Sequence, residues 1–196
     1  MKTFTHILGS INWIDVAMLI LLVRVIFIGA KSGFVTEFFK LSGVLSAVFI
    51  GLHYYLLLSA FVSKKTNWPL EALEWVFFVL LVCLMVLVVK FLRDSFLVLF
   101  KFETTHAGFN QWGAGVLSIA RALLLASLIM YGILLTRVES LQRQVLTCVS
   151  HKLALKAASN TYSFLYHNFV GKIFIQEKFN EDVFNVISRS SMDRKP

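Results

Sequence analysis

The chain has 196 residues, 58% of them hydrophobic and only 15% charged, with 19 Lys+Arg against 11 Asp+Glu. Soluble domains run at roughly 45–50% apolar and about 25% charged, so this composition excludes a disordered chain and argues against an ordinary soluble enzyme. The net charge of +8 rides on an apolar body, which points to orientation in a membrane before it points to nucleic acid.

A helix needs ~20 mostly apolar residues to cross a hydrocarbon core ~30 Å thick. Four stretches meet or approach that length, at residues 13–30, 34–58, 75–89 and 112–135. They are too continuous for the alternating strands of a barrel, and helices satisfy their own backbone groups in lipid. The predicted fold class is an all-α integral membrane protein with four transmembrane helices plus C-terminal amphipathic helices. Two regions are expected: a four-helix transmembrane domain over 1–135 and an amphipathic helical tail with a frayed end over 136–196.

The first span opens on Asp15 and carries Arg24. A carboxylate in a first turn caps the helix or meets its dipole. Arg24 lies about 13 Å further along the axis, too far to pair with Asp15 on the same helix. It is expected to snorkel or to pair with another helix. These two charges and the length of the run argue against a cleaved signal peptide.

Residues 29–33, Gly29-Ala30-Lys31-Ser32-Gly33, form a short basic turn. They predict an antiparallel hairpin of the first two helices, because glycine admits the backbone angles of a tight turn. The segment is either a plain turn or a close-approach site for a partner or a lipid headgroup. Beyond it, Glu37 and Lys40 stand three apart, a spacing that suits a local ion pair.

The second helix carries Gly43, Ala47 and Gly51 at every fourth position, and the fourth carries Ala114, Ser118, Ala122 and Ala126 in the same way. Small residues at this spacing let membrane helices approach closely. The third helix has no such stripe. Helices two and four are therefore expected to supply packing faces, and helix three to face lipid. The same stripes would serve dimerisation equally well. Arg121 lies about two and a half turns into the fourth helix, either as a functional charge or as a snorkelling one.

After residue 135, Val138, Leu141, Val145 and Cys148 recur at helical spacing. A second stripe follows with Tyr162, Leu165, Tyr166, Phe169, Val170, Ile173 and Phe174. This amphipathic pattern predicts helices that lie in the membrane interface or pack on themselves. Residues 188–196 are expected to fray.

No phosphate-binding, dinucleotide, metalloprotease or nucleophile-elbow motif occurs. Cys83 and Cys148 are far apart, His151 and His167 are far apart with no carboxylate at metal-ligand spacing, and His53-Tyr54-Tyr55 sits near a helix end, where aromatics belong to the interfacial belt. No catalytic residue, metal or cofactor is expected, and the chain is not expected to be an enzyme.

The run Asn12-Trp13-Ile14-Asp15, then Gly29, Lys31, Gly33-Phe34-Val35, Glu37, Leu41 and Gly43, resembles the start of the colicin V production protein family. In that family the fourth helix opens on an Asp-Arg pair, two spaced glycines and an Arg-Gly pair. Here Asn110-Gln111 stands for the first pair, Ala114 and Ser118 for the glycines, and Arg121-Ala122 for the last pair. The resemblance spans about residues 11–135. It implies a non-enzymatic bacterial inner-membrane protein that supports toxin production or export and envelope homeostasis.

The implied partners are membrane lipids and envelope proteins or further copies of the chain, with no nucleic acid. Relatives fused to an external protease imply termini on the periplasmic side. The competing expectation is a small oligomeric channel or transporter, with Arg24 and Arg121 along an anion path. The charge excess divides evenly: residues 1–135 hold 10 Lys+Arg and 6 Asp+Glu, and residues 136–196 hold 9 and 5. A nucleic-acid patch is thereby disfavoured, since such a patch concentrates its charge.

Overall fold

The computed structural model describes residues 12–66, 68–100, 107–148, 151–173 and 179–185. It is helical, with no strand among the described residues. The elements are α1 (Trp13–Ser32), α2 (Phe34–Ser63), α3 (Leu70–Phe100), α4 (Ala107–Leu135), α5 (Glu139–Thr147) and α6 (His151–Leu165). A single π-helical turn, Tyr166–Val170, continues α6 into the short helix Gly171–Ile173. The expected frayed end at 188–196 lies outside the described residues, as does Phe174 of the second tail stripe.

Four helices are long and apolar enough to cross a membrane: Trp13–Ser32, Phe34–Ser63, Leu70–Phe96 and Asn110–Leu135. α1 starts where the sequence places it. The Asn12 side chain accepts the Trp13 N–H at 2.7 Å, and Asp15 Oδ2 accepts the Asn12 N–H at 3.3 Å. This reciprocal capping box supplies partners that the first helical turn lacks. α3 begins earlier than its apolar run, just after Pro69. Its first turns carry Glu71 and Glu74, charges that suit a helix N-terminus. Both carboxylates bind Arg137 from the α4–α5 connection, Glu74 at 3.2 Å.

The bundle does not follow chain order. α4 packs between α1 and α2, and α3 lies along the other side of α2. The turn expected over residues 29–33 is shorter: residues 29–32 complete α1, and the turn is a single residue, Gly33, at φ 81°, a left-handed conformation that favours glycine. The two helices are nonetheless not the packed hairpin that this turn predicts. They touch each other little, because α4 wedges between them.

The small-residue stripes explain the wedge. On α4, Ala114, Ser118, Ala122 and Ala126 are all buried. A Cβ at Gly29 of α1 would stand 2.2 Å from the Ser118 Cβ, so α1 and α4 approach as closely as they do only because Gly29 has no side chain. On α2, Ala47 is buried, and Gly43 and Gly51 face Val89 and Val82 of α3. Lipid tails are as apolar as leucine, so close approach rather than hydrophobic exclusion joins such helices.

The buried share of each spanning segment follows: 56% for α4 and 44% for α2, against 17% for α1 and 11% for α3. Helices two and four are thus the packing pair, as their stripes led one to expect. The partner of each stripe is an outer helix, α3 for α2 and α1 for α4.

The tail helices do not form the self-packed pair that was one of the two expected arrangements. α6 packs on α4 and α2, with only slight contact to α5. Its small residues Ala154 and Ala158 are buried there, as is Tyr162. The Ser127 hydroxyl of α4 accepts the Ala158 N–H at 2.8 Å and donates to the Ala154 carbonyl. Those two backbone groups stand in the register of one helical hydrogen bond, so a side chain of α4 is inserted into the ladder of α6.

Candidate functional site

The densest polar constellation lies where α1 turns into α2. Glu37, one turn into α2, is fully buried. Its Oε1 accepts from Lys40 Nζ at 2.7 Å and from Arg121 Nη1 at 3.2 Å. Its Oε2 lies 2.9 Å from the same guanidinium nitrogen but accepts no hydrogen bond. Arg121 Nη2 donates to the Val25 carbonyl of α1 at 3.4 Å, and Lys40 Nζ donates to the Ser32 hydroxyl at 2.9 Å. One carboxylate of α2 is thereby tied to α4 through Arg121 and to α1 through both cations.

Each residue reaches this place for a local reason. Glu37 and Lys40 share one face of α2 because they stand three apart. Gly29 clears space for the carboxylate: its Cβ would come within 3.2 Å of Glu37 Oε2 as well as clashing with Ser118. Ser118 turns its hydroxyl back to the Gly115 carbonyl at 2.7 Å, so it presents no competing donor. Asn110, near the start of α4, accepts the first N–H of α2, that of Phe34, through its Oδ1. Gly113 completes the junction, since a Cβ there would meet the Phe34 ring at 2.7 Å.

An isolated charge in hydrocarbon is costly, so intramembrane charges turn inward and pair. Arg121 does so. It is buried against Glu37 rather than snorkelling to the end of its helix. Arg24 is exposed instead, and the two arginines proposed for an anion path do not share an environment. Lys31 is also exposed and stacks over the Phe27 ring at 4.1 Å.

The structure therefore brings Gly29, Gly33, Glu37, Ser118 and Arg121 into one junction, with Ala114 buried on the same helix face. Gly43, Ala47 and Gly51 lie further along α2, where Gly43 and Gly51 face α3. Asp15 belongs to the opposite end, in the α1 capping box. Sequence reasoning missed Gly113 as a clearance position. Asn110, which stands where the family has the aspartate of its Asp-Arg pair, supplies an amide oxygen as the acceptor that caps α2. The spacing of Asn110 from the Arg121 motif was the available signal.

A second constellation lies toward the chain termini. The His53 ring, expected at the interfacial belt, is buried, and its Nδ1 lies 2.9 Å from the Tyr162 hydroxyl of α6. That hydroxyl also accepts the Asn180 N–H at 3.0 Å, and the Asn180 side chain donates to the Leu52 carbonyl at 2.8 Å. Beside it, the buried Tyr55 and Tyr131 hydroxyls bond each other at 3.1 Å. Cys148 is buried beyond the last span. Burial, with the Asp15 charge adding to it, pushes its thiol up to about 11.

Among the described residues, no three His, Cys, Asp or Glu side chains gather in a way that would hold a metal ion. The model of one protein family, described as Colicin V production protein, matches residues 14–171. No curated protein and no solved structure gives a significant match.

Proposed function

The chain belongs to the colicin V production protein family, and from that premise we propose that it is a non-enzymatic accessory scaffold of the bacterial inner membrane. It supports toxin production or export and envelope homeostasis, and its termini lie on the periplasmic side. The observation that carries this reading is the Glu37–Arg121–Lys40 junction. Glu37 and Arg121, which stand on the family's motif positions, are paired with each other and, with Lys40, join three helices. The outer faces of α1 and α3 meanwhile expose large apolar side chains, including Leu19, Ile20, Val23, Leu84 and Leu87, as a protein that meets lipid and other membrane proteins requires.

The channel reading rests on two arginines along one path, and it loses support because Arg24 is exposed on the outer face while Arg121 is buried in an ion pair. A clean deletion in the host tests the scaffold reading, with toxin release and detergent tolerance measured. Both should fall, and the native chain should restore both. Unchanged release and tolerance would overturn it. Flux of an ion or solute through purified protein in liposomes would promote the channel instead.

A further inference from the structure

A cavity of about 240 Å³ opens between α2, α3 and α4, beside the buried junction but on its other side. Its walls are apolar, from residues such as Phe39, Gly43 and Val86, and its polar lining is entirely cationic: Lys40, Lys90, Arg93 and Arg121. Two carboxylates neutralise part of this charge. Glu37 binds Lys40 and Arg121, and Asp94 binds Arg93 at 2.6 Å. Four cations against two carboxylates leave an excess of two positive charges around an apolar recess. Lys90 makes no ion pair among the described residues.

The Arg121 side chain on this wall is only 9% exposed and is held there by its ion pair with Glu37.

We propose that this cavity binds the headgroup of an anionic phospholipid. The phosphate oxygens meet Lys90, Arg93 and the Arg121 side, and the acyl chains leave along the exposed apolar face of α3. Three features commit the site to a lipid. The recess is smaller than the ~300–1,000 Å³ of a site that encloses a drug-sized ligand, so it takes a headgroup and not a whole amphiphile. Two of its cations, Lys90 and Arg93, stand near the end of the spanning segment Leu70–Phe96, at the depth where headgroups lie. Arginine and lysine are the side chains that match phosphate oxygens at such a boundary. The inference depends on the cavity and its charges alone and stands apart from the scaffold reading.

The test uses the full chain in zwitterionic phosphatidylcholine nanodiscs doped with phosphatidylglycerol, with lipid retention read by native mass spectrometry. Phosphatidylglycerol should be retained in preference to phosphatidylcholine, and inorganic phosphate should not displace it. Lys90→Gln and Arg93→Gln lie toward the surface and should each weaken retention about fivefold, the effect of one cation near an anionic headgroup. Val86→Trp, which fills the recess without altering its charge, should abolish the preference. Lys64→Gln with Lys65→Gln, at the opposite end of α2, should leave it intact. Equal retention of the two lipids would overturn the proposal. So would retention indifferent to both Val86→Trp and the charge changes, or a site that takes inorganic phosphate as readily as lipid.

Discussion

The two ends of the bundle are held by different chemistry. At the α1–α2 turn, three helices meet on a buried carboxylate and two cations, with glycines clearing the approach. At the terminal end, Arg137 pairs with Glu71 and Glu74 while itself 44% exposed, and the contacts that join α2, α4 and α6 are neutral: a tyrosine pair, a His53–Tyr162 contact, and a serine inserted into the ladder of α6. The charged end has few but costly interactions, since each partner is stranded if the other is removed. The neutral end spreads its stability over many modest ones. A single substitution should therefore be severe at the first end and mild at the second.

Glu37→Gln is the sharpest way to break the charged end. It strands Arg121 in the packed interior and should cost about 3–5 kcal/mol in reversible unfolding from detergent micelles. The double change Glu37→Gln with Arg121→Gln should recover most of that loss, and a double variant as unstable as the single one would mean that the pair is not the anchor.

Gly29→Ala comes next. Its methyl group collides with Ser118, and overpacking of this kind costs about 1–3 kcal/mol. Ser118→Gly should restore part of the lost stability by reopening the gap, which thermal unfolding of the two variants would measure. Tyr162→Phe at the neutral end removes one hydroxyl from the His53 and Asn180 contacts, and should cost only about 1 kcal/mol. A loss as large as that of Glu37→Gln would erase the contrast between the ends.

The smallest effect concerns Cys148. Its thiol is raised to about 11 in the folded protein, above the ~8.5 of a free thiol. The unfolded chain then releases this proton first as pH rises. The site's contribution to stability is whole below about pH 8.5 and declines as pH rises toward 11. In a Cys83→Ala background, alkylation of the native chain should keep accelerating up to pH 11, and a plateau near 9 would show an ordinary thiol.

Much of the charged end was legible before the fold was known. Glu37 and Lys40 are neighbours by helical spacing alone, and Gly29, Gly33, Ser118 and Arg121 sit in a motif. Their meeting was not legible, because residues 37 and 121 are joined only by how α4 inserts between α1 and α2. The neutral end was hidden further. Ser127 and Asn180 carry no pattern, and Tyr162 was one aromatic in an amphipathic stripe whose apolar face fits a membrane surface as well as a bundle. Hydrophobic periodicity states which face is apolar and not what will cover it.

The sequence by itself determined four spanning helices, the α1 cap, a short turn between the first two helices and the small-residue faces. These depend on length, local hydrogen bonding and side-chain size, which are properties of a segment. Only the tertiary structure decided that α4 would part the first two helices, that Arg121 would turn inward to Glu37, and that the tail would dock on α2 and α4. Those outcomes depend on which surfaces fit together once every helix is formed. Inside a bilayer that choice is made by close packing and by the need of each buried polar group for a partner.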